Sequence, residues 1–271
     1  MHITGKTAVF LTIAHPVGHL AAPEVFARFF EAQSLDAVML GADVAPERLG
    51  AFVAALRHMR NLVGFCVTVP HKQAVLQHLD DLTPEAREAG AVNLVRRDAD
   101  GRLTGHQLDG EGFLRGLLDA GHDPKGRSVL LAGAGGAATG IAFALARQGV
   151  SRLRICNRTL ARAQELAARV RAVMPHADVE AGGSDPAGFD FLVNGTSAGL
   201  DPAAPPPFDL ARADPRAIVA EIIMKPRETA LLKAARRRGM SVHHGEAMLE
   251  GQVRLMTEYW GLSAPADGGR E

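Results

Sequence analysis

Cysteine is scarce in this chain of 271 residues: Cys66 and Cys156 are the only two. That excludes a disulfide framework and a four-cysteine zinc site. Net charge is lacking too, since thirty basic residues balance thirty acidic ones, which argues against a general electrostatic role on nucleic acid or an acidic membrane. No uncharged stretch reaches the roughly 20 residues that a membrane helix needs. The first residues, "MHITGKTAVFLT", have no basic segment followed by a long apolar run, so no secretion signal is expected and the reading is a soluble cytoplasmic protein. Internal repeats are absent, and "DPAAPPPFD" (201–209) is the one biased segment. The tail "SAPADGGRE" is expected to fray. What the chain does have is apolar residues, 47 % of the total, enough for a substantial core.

Strand-like and helix-like stretches alternate along the chain. "KTAVFLTI" (6–13), "DAVMLGADV" (36–44) and "LVGFCVTV" (62–69) read as strands. "PERLGAFVAALRHM" (46–59) reads as a helix, and "HKQAVLQHL" (71–79) as another that Pro70 keeps from starting earlier. Short strands at 89–97 and 101–106 flank the turn "DADG", and a helix follows over 110–121. A second series then begins: strand, glycine turn and helix over 127–149, strand 151–159, helix 160–174, a strand running into a loop over 189–199, strand 217–224, helix 227–239 and a last helix 246–260. This alternation predicts an α/β protein with mostly parallel sheet covered on both faces, and a domain boundary near Gly110.

"VLLAGAGGAA" carries G-x-G-x-x-A at Gly133, Gly135 and Ala138, between a buried strand and a helix. The first glycine permits the tight turn and the second lets the backbone approach a pyrophosphate. The small third residue allows close helix packing, and the helix N-terminus supplies donors and partial positive charge. The competing reading is a packing turn that binds nothing; the strand-turn-helix context favours a dinucleotide. The next strand ends in "CNRT", where Asn157 precedes Arg158 and Arg162 follows one turn later. Guanidinium groups there suit the extra phosphate of NADP, with NAD still open.

"VTVPHK" sets Lys72 just past a strand end, and "TGHQLDG" sets Asp109 just past another. Ligands of open α/β sheets sit outside the carboxyl ends of strands, so both residues can serve one site. A lysine can handle the hydroxyl proton of a dehydrogenase when a carboxylate tunes and fixes its ammonium group. From spacing alone, an ordinary surface Lys72 and a helix-capping Asp109 are the more frequent outcome.

The stretches "HPVGH…P" (15–23), "VTVPHK" (67–72), "AGAVN" (89–93), "DG" (109–110), "GAGGAA" (133–138), "NRTLARAQEL" (157–166), "NGTSAG" (194–199) and "GQ" (251–252) stand in an order and spacing that resemble the shikimate dehydrogenase family over nearly the whole chain. The resemblance implies a substrate-binding domain of residues 1–109 with 246–271, to which the last helix returns, and a Rossmann-type NADP domain of residues 110–245. It implies reversible reduction of a ring ketone, as 3-dehydroshikimate is reduced to shikimate. On this resemblance Lys72 and Asp109 match the catalytic pair. Asn93 and Gln252 match residues that bond ring hydroxyls, Thr68 falls in the substrate pocket, and His19 matches a histidine common in that loop. Gly133, Ala134, Gly135, Gly136 and Ala137 form the pyrophosphate turn. Asn157, Arg158, Thr159 and Arg162 form the phosphate clasp, and Thr196 belongs to the cofactor site. The partner implied is a small molecule, with no metal, nucleic acid or membrane, and the chain is expected as a monomer or homodimer.

Against this pattern the pocket departs in one direction. The family's Ser-x-Ser-Pro, whose hydroxyls hold the substrate carboxylate, is Leu20-x-Ala22-Pro23 here. An expected asparagine is Cys66, an expected Asn-Thr is Gln107-Leu108, and an expected tyrosine is Met224. A buried carboxylate without donors costs several kcal/mol, so the pocket should prefer a substrate less polar at that end. His15, His71 and His106 also lie near the expected site; His71, beside Lys72, is the candidate for a new role, set against a merely solvent-facing histidine. "HPVGH" lacks the helix of a zinc pair. The competing functions are a nucleotide-binding paralogue with a sensory role, which a lost Lys72 or Asp109 would have favoured, and another Rossmann enzyme such as a methylene-tetrahydrofolate dehydrogenase, against which "VTVPHK" and "AGAVN" weigh.

Overall fold

The computed structural model describes residues 3–18, 20–201 and 204–262. His19, part of the proline segment and the tail from residue 263 lie outside the described residues. The chain divides into two units: one runs to Leu108 and resumes at Val253, and the other is Asp109–Gln252.

The first unit contains β1 (Ala8–Ala14), α1 (Ala22–Ala32), β2 (Ala37–Asp43), α2 (Leu49–Leu56), β3 (Leu62–Val67), β4 (Asp81–Leu82), α3 (Pro84–Ala89), β5 (Leu94–Arg97) and β6 (Leu103–His106). Its sheet has the order β2-β1-β3-β5-β6-β4. β1 is parallel to β2 and β3, but β5 is antiparallel to both β3 and β6. β4 is parallel to β6, so the sheet is mixed, with β5 alone running against its two neighbours. β5 and β6 are joined by the turn Asp98–Gly101, closed by the Gly101 N–H to the Asp98 carbonyl, which is too short for a crossover. Side chains alternate between two apolar layers: Leu11, Phe65 and Val67 on one face, Phe10, Cys66 and Leu94 on the other. The single tryptophan, Trp260, fills the second layer, and its indole N–H donates to the Val95 carbonyl at 3.0 Å. A Cβ at residue 64 would overlap that indole, which is why β3 carries a glycine there.

Two local readings change. The expected helix over 71–79 is a 3-10 helix, Ala74–His78. The Lys72 carbonyl accepts from the Val92 N–H at 2.8 Å, and the Leu76 N–H bonds back to the Gln73 carbonyl at 3.3 Å, three residues away. Lys72 consequently sits in a turn rather than in the first turn of a helix. The strand expected from residue 89 begins at Leu94, because 84–89 form α3, capped by Thr83 and ended by Gly90 in the left-handed region at φ 60°.

The second unit contains α4 (Asp109–Asp119), β7 (Ser128–Ala132), α5 (Gly136–Gln148), β8 (Arg152–Cys156), α6 (Leu160–Val173), β9 (Val179–Ala181), β10 (Phe191–Asn194), β11 (Ile218–Glu221), α7 (Ala230–Arg237), β12 (Ser241–His243) and the first part of α8 (Glu246–Tyr259). Its sheet is entirely parallel with the order β12-β11-β10-β7-β8-β9. Counting β7 as the first strand, this is the 3-2-1-4-5-6 order of doubly wound dinucleotide-binding sheets, which reverses between β7 and β10. Val129 and Leu131 face one core, Leu130 and Ala132 the other.

Candidate active site

In the second unit the glycine turn leaves β7 at that reversal point. Gly133 has φ +116°, and a Cβ on it would stand 2.8 Å from the Gly195 carbonyl oxygen, so both the backbone angle and the space demand glycine. Gly135 caps α5 in an extended conformation and is exposed, with open space where a side chain would stand. The first intrahelical bond runs from the Thr139 N–H to the Gly135 carbonyl at 2.8 Å, so the amides of Gly136 and Ala137 belong to the helix's bare amino end. No acidic residue occupies the first turn of α5. Ala138 is fully buried, about 3 Å from where Cβ atoms on Gly133 and Gly195 would lie. Ala134 and Ala137 are half-buried beside it. These features suit a pyrophosphate.

At the end of β8, Asn157 donates through Nδ2 to the Thr159 carbonyl at 2.9 Å, and the Arg162 N–H closes on the same carbonyl at 3.1 Å. This turn leaves Arg158 and Arg162 exposed, with no ion pair to any described residue. Two uncommitted guanidinium groups and no carboxylate at this strand end fit a phosphorylated ribose. Cys156 beneath them is buried, which pushes its thiol up to about 11 and removes it from nucleophilic chemistry.

After β10, Asn194 and Thr196 shape the turn that faces the glycine loop. The Asn194 Oδ1 accepts from the Thr196 N–H (3.0 Å) and hydroxyl (2.7 Å), while its Nδ2 donates to the Ala198 carbonyl (2.9 Å) and to Glu221 (3.0 Å). Glu221 ends β11 fully buried, and burial raises its carboxyl above the usual range. Sequence reasoning missed Glu221. The available signal was a lone acid within the apolar run "AIVAEIIM".

Asp109 is the first residue of α4 rather than its cap, and it is 3 % exposed. The Gln252 Nε2 donates to its Oδ1 at 3.1 Å, so these two expected site residues are joined inside the second unit. Gly112 makes this contact: a Cβ there would overlap the Gln252 side chain.

The remaining expected residues lie in the first unit. Lys72 and Thr68 are half-buried at the carboxyl end of β3, where the Thr68 N–H donates to Ile13 and the Thr68 carbonyl accepts from His71. Asn93 is buried, its Oδ1 accepting from the Leu108 N–H at 2.9 Å. His71 is not solvent-facing. It is 1 % exposed, and its Nε2 donates to the Val44 carbonyl at 2.7 Å. His15 is exposed and donates to Asp43 at 2.7 Å, and His106 lies 2.8 Å from the Thr83 hydroxyl against the Tyr259 ring. Each of the three is thus committed to a neighbour. Three of the departures seen in sequence lie together: Cys66 and Leu108 are buried in one apolar cluster with Met256, and Ala22 packs against it. Leu20 is half-buried over Gly41.

The shikimate dehydrogenase substrate-binding domain matches residues 12–95, and the shikimate/quinate 5-dehydrogenase domain matches residues 118–198. A shikimate dehydrogenase (NADP(+)) of Geobacter metallireducens is 40 % identical, over 99 % of this chain and 96 % of its own. Among solved structures, a shikimate 5-dehydrogenase from Thermus thermophilus in complex with NADP(H) and shikimate is 32 % identical, with a TM-score of 0.86 over 96 % of this chain and 95 % of that one. A ligand-free 5-ketofructose reductase from a Gluconobacter strain, also 32 % identical, gives a TM-score of 0.83 over the same shares of the two chains. With its sheet order, glycine turn and full-length similarity in agreement, this chain belongs to the shikimate dehydrogenase family.

Proposed function

We propose that this chain is an NADP-linked oxidoreductase that moves hydride reversibly between the nicotinamide and a ring hydroxyl or ketone, its substrate being shikimate/3-dehydroshikimate or a less polar relative. The observation that carries this reading is the glycine turn at the reversal point of a 3-2-1-4-5-6 sheet, followed at the next strand end by two uncommitted arginines. When bound, NADP(H) supplies or accepts the hydride. The amino end of α5, with Gly133, Ala134, Gly135, Gly136 and Ala137, receives its pyrophosphate. Arg158 and Arg162 meet the ribose phosphate on a turn shaped by Asn157 and Thr159, and Thr196 lines the opposite side. On reduction, the Lys72 ammonium gives its proton to the developing alkoxide, and in the reverse direction the lysine takes the proton back. Asp109 holds the lysine in its working state, with Gln252, Asn93 and Thr68 directing the ring hydroxyls.

The apolar surroundings of Cys66, Leu108 and Ala22 support a substrate without a carboxylate at that end. The 5-ketofructose reductase shows by its name that a protein of this shape acts on a keto sugar. The test is a panel of 3-dehydroshikimate, 3-dehydroquinate and 5-ketofructose with NADPH and with NADH, run on the wild type and on Leu20→Ser/Ala22→Ser. We expect NADPH to be preferred, and the double variant to gain at least about tenfold in kcat/KM on 3-dehydroshikimate through restored hydroxyl donors. A folded double variant with no gain would remove the loop from carboxylate recognition. No turnover anywhere, with tight NADP binding, would replace the enzyme by a nucleotide-binding paralogue.

A further inference from the structure

Glu221 has no basic partner among the described residues, although it is fully buried. Four neutral donors meet its carboxylate instead. Oε1 accepts the N–H groups of Ile222 (2.9 Å) and Ile223 (3.1 Å), and Oε2 accepts from Asn194 Nδ2 (3.0 Å) and the Thr229 hydroxyl (3.1 Å). A carboxylate in this state only accepts, so Asn194 has to turn its amide nitrogen toward it. That orientation leaves the Asn194 Oδ1 facing Thr196, where it takes both the N–H and the hydroxyl. The Thr196 Oγ1 in turn accepts the Ala198 N–H at 2.9 Å. The shape of the 194–198 turn is thereby dictated from one strand away. Ala132, Asn194 and Glu221 stand in one register row across β7, β10 and β11, directly below the glycine turn and at the point where the strand order reverses.

We propose that Glu221 is a positioning residue for the dinucleotide, acting through Asn194 to fix the turn that carries Thr196. The proposal rests on the reading that NADP binds at this end of the sheet. Glu221→Gln is informative because its oxygen can keep the Ile222 and Ile223 N–H groups while its amide nitrogen confronts that of Asn194, donor against donor.

Two measurements separate the brace from the cofactor reading. In the cofactor-free protein, hydrogen exchange at the Thr196 and Ala198 amides should quicken about tenfold or more in Glu221→Gln. By calorimetry, Glu221→Gln and Asn194→Ser should each weaken NADP binding about tenfold, and the double variant should be no weaker than the worse single, since both act on one turn. Glu221→Gln combined with Arg158→Ala should instead multiply, because Arg158 lies on a different strand end. Unchanged exchange overturns the brace, and multiplying losses for Glu221 with Asn194 overturn the positioning role. A wild type that binds no NADP, with exchange still quickened in the variant, overturns the cofactor reading and the positioning role together while the brace itself stands. If Glu221→Gln does not fold, Glu221→Asp keeps the charge, gives up the reach to Asn194, and is held to the same outcomes.

Discussion

His243 is a histidine held neutral by its surroundings. It ends β12 at 4 % exposure, its Nε2 has no hydrogen-bond partner among the described residues, and the rings of Phe113 and His122 stand about 6 Å from its own. Burial, with smaller contributions from His122 and His244, pushes it from 6.5 down to about 4. The sign follows directly: between these values the unfolded chain binds a proton that the folded chain refuses, so stability falls as pH drops from about 6.5 toward about 4. The loss at the lower end is about 3 kcal/mol at 1.4 kcal/mol per pKa unit. Urea midpoints measured across this window should decline in the wild type and decline markedly less in His243→Leu. Parallel declines would show that His243 is not the group responsible.

At the scale of elements, α4 is built to be approached closely. Cβ atoms at Gly110, Gly112 and Gly116 would overlap the Gly140 carbonyl, the Gln252 side chain and the Ala247 carbonyl, respectively, so three glycines let α5 and α8 come within backbone contact of one helix. Alanine is the better helix former by about 1 kcal/mol, yet overpacking at a rigid contact costs about 1–3 kcal/mol. Because the Met248 carbonyl as well as Gln252 blocks the site, overpacking should win at Gly112. Gly112→Ala is expected to lower the urea midpoint by an amount equivalent to about 1–2 kcal/mol. A raised midpoint would mean that helix propensity decides there. None of this was visible in the sequence, where "GEGFLRGLLDAG" announces a helix but not which glycines are crossings. The same limit hid the 3-10 form after Pro70, where the Lys72 carbonyl is bonded by Val92, twenty residues away. By contrast, the strand, turn and helix at 128–148 were legible because the glycine spacing answers to local geometry alone.

For the whole molecule, the parallel sheet of the second unit has the dinucleotide-binding order, and its candidate site draws on neighbouring strand ends that the sequence marks with short motifs. Glu221 escaped because its proposed role lies in which neighbours it touches, and any buried acid reads alike until they are known. In the first unit, the polar positions lost at Cys66 and Leu108 were legible as departures, but only the fold shows that they join one apolar cluster instead of opening a new polar site. On the function proposed above, a chain that keeps Lys72 and Asp109 while changing those positions retains the chemistry and shifts the selectivity. The most direct test of that claim is the rate of hydride transfer in Lys72→Ala, on the best substrate of the wild type, with NADP affinity measured on the same preparation. A fall of about 10²–10⁴-fold at unchanged NADP affinity is predicted; a rate within a few-fold of wild type at the same affinity would contradict the account.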